Sequence, residues 1–301
     1  MTDTLVRPAA RGSALRESPY VGLIPYSEDD APFFFGRERE KKIITANLKA
    51  SRLTLLYGAS GVGKTSVLLA GVVHDLRQLV AKNRLRLQRA VREGPARDKG
   101  QEEETERAPF AVAVFRSWRD EPLADLLEVV RRAAIEALPD GKLQSWPAGE
   151  PVVDTLRAWS RRVRTLLVVL DQFEDYFYLP REAGPGTFGF ELPQILGEPN
   201  LRVNFLLAIR EDELARLDAF KRDIPFLFGN RLRVEYMDRD AGRRAIRGPI
   251  EKYNELLPAG AEPFSIEEGL VETVLDQVAT GRLALTETGA SPFEDGALAA
   301  V

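Results

Sequence analysis

The sequence contains no cysteine and a single histidine, His74, among its 301 residues. Thiolate metal sites, disulfide frameworks, iron–sulfur clusters and cysteine nucleophiles are therefore excluded by count. No apolar run approaches the roughly 20 residues that cross a bilayer, and residues 1–17 lack the hydrophobic stretch of a secretory signal. We therefore expect a cytoplasmic protein with a disordered arm at residues 1–17 and no membrane partner.

The chain also lacks a strong excess of either charge. Its 42 Lys and Arg residues nearly balance 46 Asp and Glu residues. This balance argues against a dedicated nucleic-acid domain, because such domains depend on neutralising phosphates. The apolar fraction of 44% is typical of a globular protein, and the length is sufficient for one large domain or two ordinary ones.

Short apolar segments alternate with helical patterns along most of the chain. Strands are predicted at residues 53–57, 110–118, 165–170, 201–209 and 231–236, and helices at 65–80, 121–138, 152–164, 211–220, 239–254 and 265–279. Because parallel strands need helix-length crossovers, the alternation predicts an α/β fold with a parallel sheet and helices on both faces. The charged segment 81–109 is interpreted as a surface insertion.

A glycine-rich motif, Gly58-Ala59-Ser60-Gly61-Val62-Gly63-Lys64-Thr65, lies between the first predicted strand and the first predicted helix. Its glycines let several backbone N–H groups converge on a phosphate, and the helix adds its positive dipole end. Lys64 can reach the β and γ phosphates, and the Thr65 hydroxyl can ligate Mg²⁺. The predicted nucleotide contacts are Gly58, Ser60, Gly61, Val62, Gly63, Lys64, Thr65 and Ser66.

Acidic residues follow the third predicted strand. We expect Asp171 to lie on a strand neighbouring the phosphate loop and to hold Mg²⁺, directly or through water. Glu174 and Asp175 lie just beyond, where one of them could orient the attacking water; Glu174 is the first choice and Asp175 the second. Arg210 ends the next strand, where it could contact the γ phosphate or pair with a nearby carboxylate. These features predict a P-loop ATPase or GTPase.

Several further segments carry a family resemblance. Phe34-Phe35-Gly36-Arg37-Glu38-Arg39-Glu40 resembles the hhGRExE element of STAND-class NTPases, the signalling ATPases that include the NACHT and NB-ARC groups. Together with the run from residue 18 to 40, VVLDQFED, LLAIRED and Arg247-Gly248-Pro249, it resembles the bacterial novel STAND NTPase family. The similarity covers residues 18–280.

The resemblance implies an ATP-binding domain in which Phe35, Gly36 and Arg37 wrap the adenine and ribose. It also implies that Pro249, in a helical lid, packs on the base, and that Arg210 is a sensor arginine. Asp175 departs from the family, where a second Glu is more frequent. We expect an NTPase core at residues 18–238 and a helical lid at 239–301, truncated where the family continues with further lid helices and a sensor.

The leading hypothesis is an ATP-binding, slowly hydrolysing switch that self-associates in the ATP state. Its output would pass through a C-terminal sensor region or a partner protein, and the resemblance suggests a role in bacterial defence or stress signalling. An AAA+-like motor, a GTPase and a nucleotide-binding module without turnover are the alternatives. The LSGGQ signature of ABC ATPases and the NKxD motif of GTPases are absent from the sequence.

Overall fold

One parallel sheet forms the centre of the molecule in the computed structural model, which describes residues 18–93, 108–119, 121–147, 149–180 and 184–280. Its strands are β1 (Leu53–Gly58), β2 (Ala111–Phe115), β3 (Leu166–Leu170), β4 (Val203–Arg210) and β5 (Arg231–Arg233). Their order across the sheet is β2-β3-β4-β1-β5, and every neighbouring pair is parallel. The predicted α/β fold is confirmed.

Helices connect and follow these strands. They are α1 (Glu38–Ala50), α2, α3 (Pro122–Ala137), α4 (Val152–Arg162), α5 (Phe188–Gly197), α6 (Arg239–Glu255) and α7 (Glu268–Thr280). Helix α2 is continuous from an α-helical turn at Lys64–Ser66, through a π-helical segment at Val67–Val73, to an α-helical part at His74–Glu93. Shorter 3-10 helices occupy Glu28–Phe33, Phe173–Tyr178 and Glu211–Phe220.

Helix α2 extends further than the sequence pattern indicated. It continues to Glu93, into the first part of the segment interpreted as a charged insertion, and Leu87 on this extension is buried. A few well-spaced apolar side chains are therefore enough to keep a charged helix on the core. Residues 94–107, the predicted arm at 1–17 and the predicted ending of the lid at 281–301 lie outside the described residues.

The strand order changes one expectation about the site. Strand β4 lies between β1, which leads into the glycine-rich loop, and β3, which ends just before Asp171. The strand before Asp171 is therefore the second from β1 rather than its neighbour. All five residues of β3 are buried, as expected for a central strand covered on both faces. Asp171 follows β3 and Arg210 ends β4. Because these strands are neighbours, both residues lie at the same carboxyl edge of the sheet.

Helices α6 and α7 pack on each other and bury a small apolar cluster. Ile246, Val271 and Leu275 make up this cluster, which is separate from the main core. Within the described parts of the chain, no helix has both the length and the apolar character needed to cross a membrane.

Candidate functional site

The glycine-rich loop turns sharply between β1 and α2. Gly61 and Gly63 have φ angles of 73° and 92°, in the left-handed region that glycine adopts without steric cost. Helix α2 begins at Lys64, so its free N–H groups face the loop. The Lys64 ammonium donates hydrogen bonds to the carbonyl oxygens of Gly58 and Ala59, at 2.8 and 2.9 Å. The loop therefore combines backbone donors, a helix dipole and a cation, which is the composition of a phosphate site.

A cavity of about 470 Å³ opens above this loop at the carboxyl edge of the sheet. Of the predicted site residues, Ser60, Gly61, Gly63, Lys64, Thr65, Ser66, Asp171, Glu174, Asp175 and Arg210 line it. Leu23, Ile24, Pro25, Gln172, Tyr178 and Ala208 line it as well, and the motifs had not identified them. The segment before the first helix therefore forms one wall of the cavity.

Asp171 is the most buried carboxylate of the cavity. Its side chain is 2% exposed, and its two oxygens accept from the Thr65 hydroxyl at 3.0 and 3.2 Å. The Arg116 guanidinium lies 3.2 Å away, and the Trp118 indole N–H donates to the Asp171 carbonyl oxygen at 2.8 Å. Burial raises the pKa of Asp171, whereas Arg116 and Thr65 oppose that rise.

The donors at this point fit a magnesium ion. The Thr65 hydroxyl and the Asp171 carboxylate are hard oxygen ligands that lie within 3.0 Å of each other. Mg²⁺ is commonly held by one or two such ligands, with phosphate oxygens and waters completing its octahedron. Within the residues that the structure describes, no group of three or more His, Cys, Asp or Glu side chains could hold a metal by itself. A metal at this site would therefore depend on the phosphates.

The two candidate bases differ in environment. Both lie in the 3-10 helix Phe173–Tyr178, which follows Gln172 in the left-handed conformation, at φ 54°. Glu174 is buried, and its Oε2 accepts from the Arg210 backbone N–H at 3.3 Å. Burial raises the pKa of Glu174, whereas Asp175 is exposed.

Arg210 is half-exposed on the cavity wall. Its guanidinium donates to both carboxylate oxygens of Asp212, including a 3.1 Å bond from Nε to Oδ1. That hydrogen bonding raises the pKa of Arg210 further. Of the two arrangements left open by the sequence, the pairing with a nearby carboxylate is the one present in this structure.

The Arg37 side chain is directed into the protein rather than into the cavity. It is 3% exposed, and its guanidinium donates to the carbonyl oxygens of Val62 at 2.9 Å and Glu235 at 2.7 Å. A third bond reaches Glu40 at 2.7 Å. Arg37 therefore connects the glycine-rich loop, through Val62, to the segment that follows β5, through Glu235.

Phe35, Gly36 and Pro249 lie where the segment before α1 meets α6. A Cβ on Gly36, which has φ 90°, would lie 2.5 Å from the Ala241 carbonyl oxygen in α6, and a Cβ on Gly248 would overlap the Phe35 ring. Pro249 is buried, and α6 continues past it to Glu255. A smaller cavity of about 40 Å³ lies nearby and is bordered by residues that include Tyr26, Phe34, Arg37 and Val62. Phe35, Gly36, Pro249 and Gly58 line neither this cavity nor the main one.

The chain is similar to several solved structures at low sequence identity. The Walker-type ATPase PABY2304 of Pyrococcus abyssi is 14% identical; the match covers 85% of this chain and 66% of that one, with a TM-score of 0.48. The ORC2 protein of Aeropyrum pernix, in ADPNP–ADP complexes, is 17% identical with coverages of 81% and 57% and a TM-score of 0.46. The ADP form of the same protein is also 17% identical. That match covers 88% of this chain and 62% of the other, with a TM-score of 0.49.

The chain thus spans less than two thirds of the length of each of these structures. No match is found among curated proteins. The model of the family described as Novel STAND NTPase 1, however, matches residues 19–290. This range includes the glycine-rich loop, Asp171 and helices α6 and α7, and it confirms the resemblance seen in the motifs. The chain belongs to the novel STAND NTPase 1 family.

Proposed function

We propose that this NTPase binds ATP with Mg²⁺ at the glycine-rich loop, hydrolyses it slowly, and uses the nucleotide exchange as a switch for self-association. One observation carries the proposal. A single cavity of about 470 Å³ is lined by the lysine of the phosphate loop, a hydroxyl, two buried carboxylates and an arginine. These groups belong to Lys64, Thr65, Asp171, Glu174 and Arg210. These are the groups that phosphoryl transfer requires, because its catalysis is mainly positioning and electrostatic stabilisation.

Lys64 and the backbone N–H groups of the loop would bind the phosphates. The Lys64 ammonium is already directed at the loop by two carbonyl oxygens, and a phosphate oxygen would offer it a charge-assisted partner. Thr65 and Asp171 would hold Mg²⁺ through their adjacent oxygens. The ion, when bound, would neutralise charge on the β and γ phosphates.

Glu174 is the proposed base that orients the attacking water. Burial raises the pKa of its carboxyl, which improves its match to a proton transfer near neutral pH. The bond from the Arg210 backbone N–H also fixes the direction of the carboxylate. Asp175 shares the cavity but is exposed, so its carboxylate is less well placed to hold a water in one orientation.

Arg210 is the proposed sensor of the γ phosphate. Its ion pair with Asp212 is partly exposed, and a γ phosphate in the same cavity would compete with Asp212 for the guanidinium. Reversing a 1:99 equilibrium takes about 5.5 kcal/mol of differential binding, whereas one hydrogen bond to a charged group contributes about 1.5–3 kcal/mol. Arg210 therefore cannot drive the switch alone, and contacts with the lid or between subunits must add to it.

The junction between Phe35, Gly36 and Pro249 is the proposed route from the base to the lid. The Phe35 ring packs on Gly248, one residue before Pro249, so a base that displaced Phe35 would also disturb α6. Arg37 contributes by holding Val62 of the loop. We propose adenine as the base because the sequence lacks the NKxD guanine motif.

Binding and turnover test the first part of this proposal. Lys64→Ala is expected to weaken binding of a fluorescent ATP analogue at least about tenfold and to abolish phosphate release. Lys252→Ala is the matched control, since Lys252 is a partly exposed lysine of α6 that pairs with Glu255. Full binding and turnover by Lys64→Ala would end the proposal.

The base is tested by two carboxamide variants. Glu174→Gln should retain ATP binding and lose turnover about 100-fold or more, whereas Asp175→Asn should lose much less. The reverse ranking would transfer the role of base to Asp175. A wild-type protein that binds ATP without hydrolysing it, even when self-associated, would identify a binding module instead.

Self-association and its output need a separate measurement. Light scattering should give a larger mass with a non-hydrolysable ATP analogue than with ADP, and GTP should not replace ATP. The same mass with both nucleotides would remove the switch from the proposal, while rapid turnover stimulated by a polymer would favour a motor. Output through a C-terminal sensor region or a partner protein, and a role in bacterial defence or stress signalling, are also part of the proposal.

A further inference from the structure

Arg116 is a cationic residue of the site that the sequence motifs did not identify. It follows β2 directly, and β2 pairs with β3, so Arg116 and Asp171 emerge side by side at the carboxyl edge. The Arg116 Nε lies 3.2 Å from Asp171 Oδ2. The contact is therefore set by the register of two central strands rather than by a surface loop alone.

The two partners of this ion pair differ in exposure. The Asp171 side chain is 2% exposed, whereas that of Arg116 is 38% exposed. The Asp171 backbone is held as well, because the Trp118 indole donates to its carbonyl oxygen at 2.8 Å. The carboxylate is thus fixed, while the guanidinium has solvent to move into.

Arg116 and a metal ion would compete for the same oxygens. Thr65 and Arg116 both contact Asp171 Oδ2, with the hydroxyl at 3.0 Å and the guanidinium at 3.2 Å. A divalent ion between Thr65 and Asp171 would repel the guanidinium at this distance.

We propose that Arg116 is the resident counter-ion of Asp171 and that Mg²⁺ displaces it when the nucleotide binds. Arg116 is then a positioning residue: it holds the carboxylate beside Thr65, and it raises the Mg²⁺ concentration that the site requires. The inference rests on the proposed role of Asp171 as metal ligand. It predicts a change in metal affinity rather than a loss of turnover.

The test is a titration of the ADP-saturated protein with MgCl₂ at pH 8, followed by calorimetry. Arg116→Gln should lower the free Mg²⁺ concentration at half-saturation by about threefold to tenfold, because the competing cation is gone. Arg116→Lys retains the charge and should stay closer to the wild type. Arg119→Gln is the control, since Arg119 is an exposed arginine nearby that forms no ion pair with the described residues.

A double-mutant cycle with Asp171→Asn separates the two levels of the proposal. Asp171→Asn should raise the Mg²⁺ requirement, and adding Arg116→Gln to it should change that requirement by less than about twofold. If Asp171→Asn alone has no effect, the proposed metal site is wrong. If Asp171→Asn acts as expected but Arg116→Gln leaves the Mg²⁺ requirement unchanged or raises it, only the counter-ion role is overturned.

Discussion

The carboxyl edge of the sheet and the pair of helices α6 and α7, which is the proposed lid and is called the lid below, are stabilised by different kinds of interaction. At the sheet edge, β3 is fully buried and Asp171 is fixed by Trp118, Thr65 and Arg116. The lid has three buried side chains in its own cluster. Its two helices are joined largely by ion pairs that are partly exposed, such as those of Arg239 and Arg243 with Glu272. The sheet edge is therefore stabilised mainly by burial, whereas α6 and α7 are joined mainly by partly exposed charges.

The N-terminal segment connects these two regions. Phe35 and Gly36 pack closely on α6, and the Tyr20 hydroxyl donates to the Ile246 carbonyl oxygen at 2.5 Å. The same N-terminal segment continues as the wall of the cavity at Leu23, Ile24 and Pro25. A change in the cavity can thus reach the lid through one short stretch of chain.

The largest expected loss of stability comes from creating a cavity beside the sheet. Leu55→Ala, in β1, should reduce the free energy of unfolding by about 3–5 kcal/mol, because Leu55 is completely buried between well-packed neighbours. Leu275→Ala, in the lid cluster, should cost about 1–2 kcal/mol and should increase hydrogen exchange in α7 without affecting β1. Urea unfolding with hydrogen exchange measures both; equal costs would contradict the contrast between the regions.

The junction itself gives the next largest effect. A Cβ on Gly248 would overlap the Phe35 ring, so Gly248→Ala should destabilise the lid contact by about 1–3 kcal/mol. Gly269→Ala is the matched control, because a Cβ there meets no atom within 4 Å and alanine favours a helix. Thermal unfolding and hydrogen exchange in α6 should distinguish the two variants. If Gly248→Ala were as stable as the wild type, the Phe35 ring would be free to move away.

The local features of the site were predictable from sequence, while contacts across the sheet were not. The phosphate loop and β3 carry short patterns whose meaning depends on a few adjacent residues. The link between Arg116 and Asp171 depends on β2 pairing with β3, and the distance of β3 from β1 depends on the insertion of β4. Sequence order alone does not specify either arrangement.

Two helices were also missed, for reasons visible in their residues. Helix α1 buries only Ile44 and Leu48, so its charged surface hides the helical period. Helix α5 contains Pro193 and begins and ends near glycines, which are features typical of loops. Where packing rather than pattern stabilises a helix, the sequence gives little local signal.

The pH dependence of stability should also differ between a buried carboxylate at the sheet edge and an exposed one. Burial raises the pKa of Glu174 above that of the unfolded chain, so stability falls as the pH rises from about 4.3 through the folded pKa. Glu174→Gln should therefore raise the free energy of unfolding at pH 8 by about 0.5–1.5 kcal/mol and flatten this part of the pH profile. Asp175→Asn, at an exposed position, should stay within about 0.5 kcal/mol of the wild type.

Glu174 would then belong to the class of functional groups that reduce stability where they work. Urea unfolding between pH 4 and pH 8 provides the measurement. A Glu174→Gln protein that is less stable than the wild type at pH 8 would show that the hydrogen bond from Arg210 outweighs the cost of burial.

The smallest effect is expected at the ion pairs of the lid, and its sign is opposite. Hydrogen bonds from Arg239 and Arg243 lower the pKa of Glu272, so its contribution is present above about pH 4.3 and is lost as the pH falls through the lowered pKa. Glu272→Gln should increase hydrogen exchange in α7 at pH 7 and low salt. The difference should shrink at 0.5 M NaCl, because salt screens exposed charges.

Glu251→Gln is the control for this last variant, since Glu251 is an exposed carboxylate of α6 that forms no ion pair with the described residues. It should leave exchange in α7 unchanged at either salt concentration. If the effect of Glu272→Gln were as large at high salt as at low salt, the lid would be held by packing rather than by charge. The lid would then resemble the sheet edge, and a nucleotide would need a correspondingly larger difference in binding energy to move it.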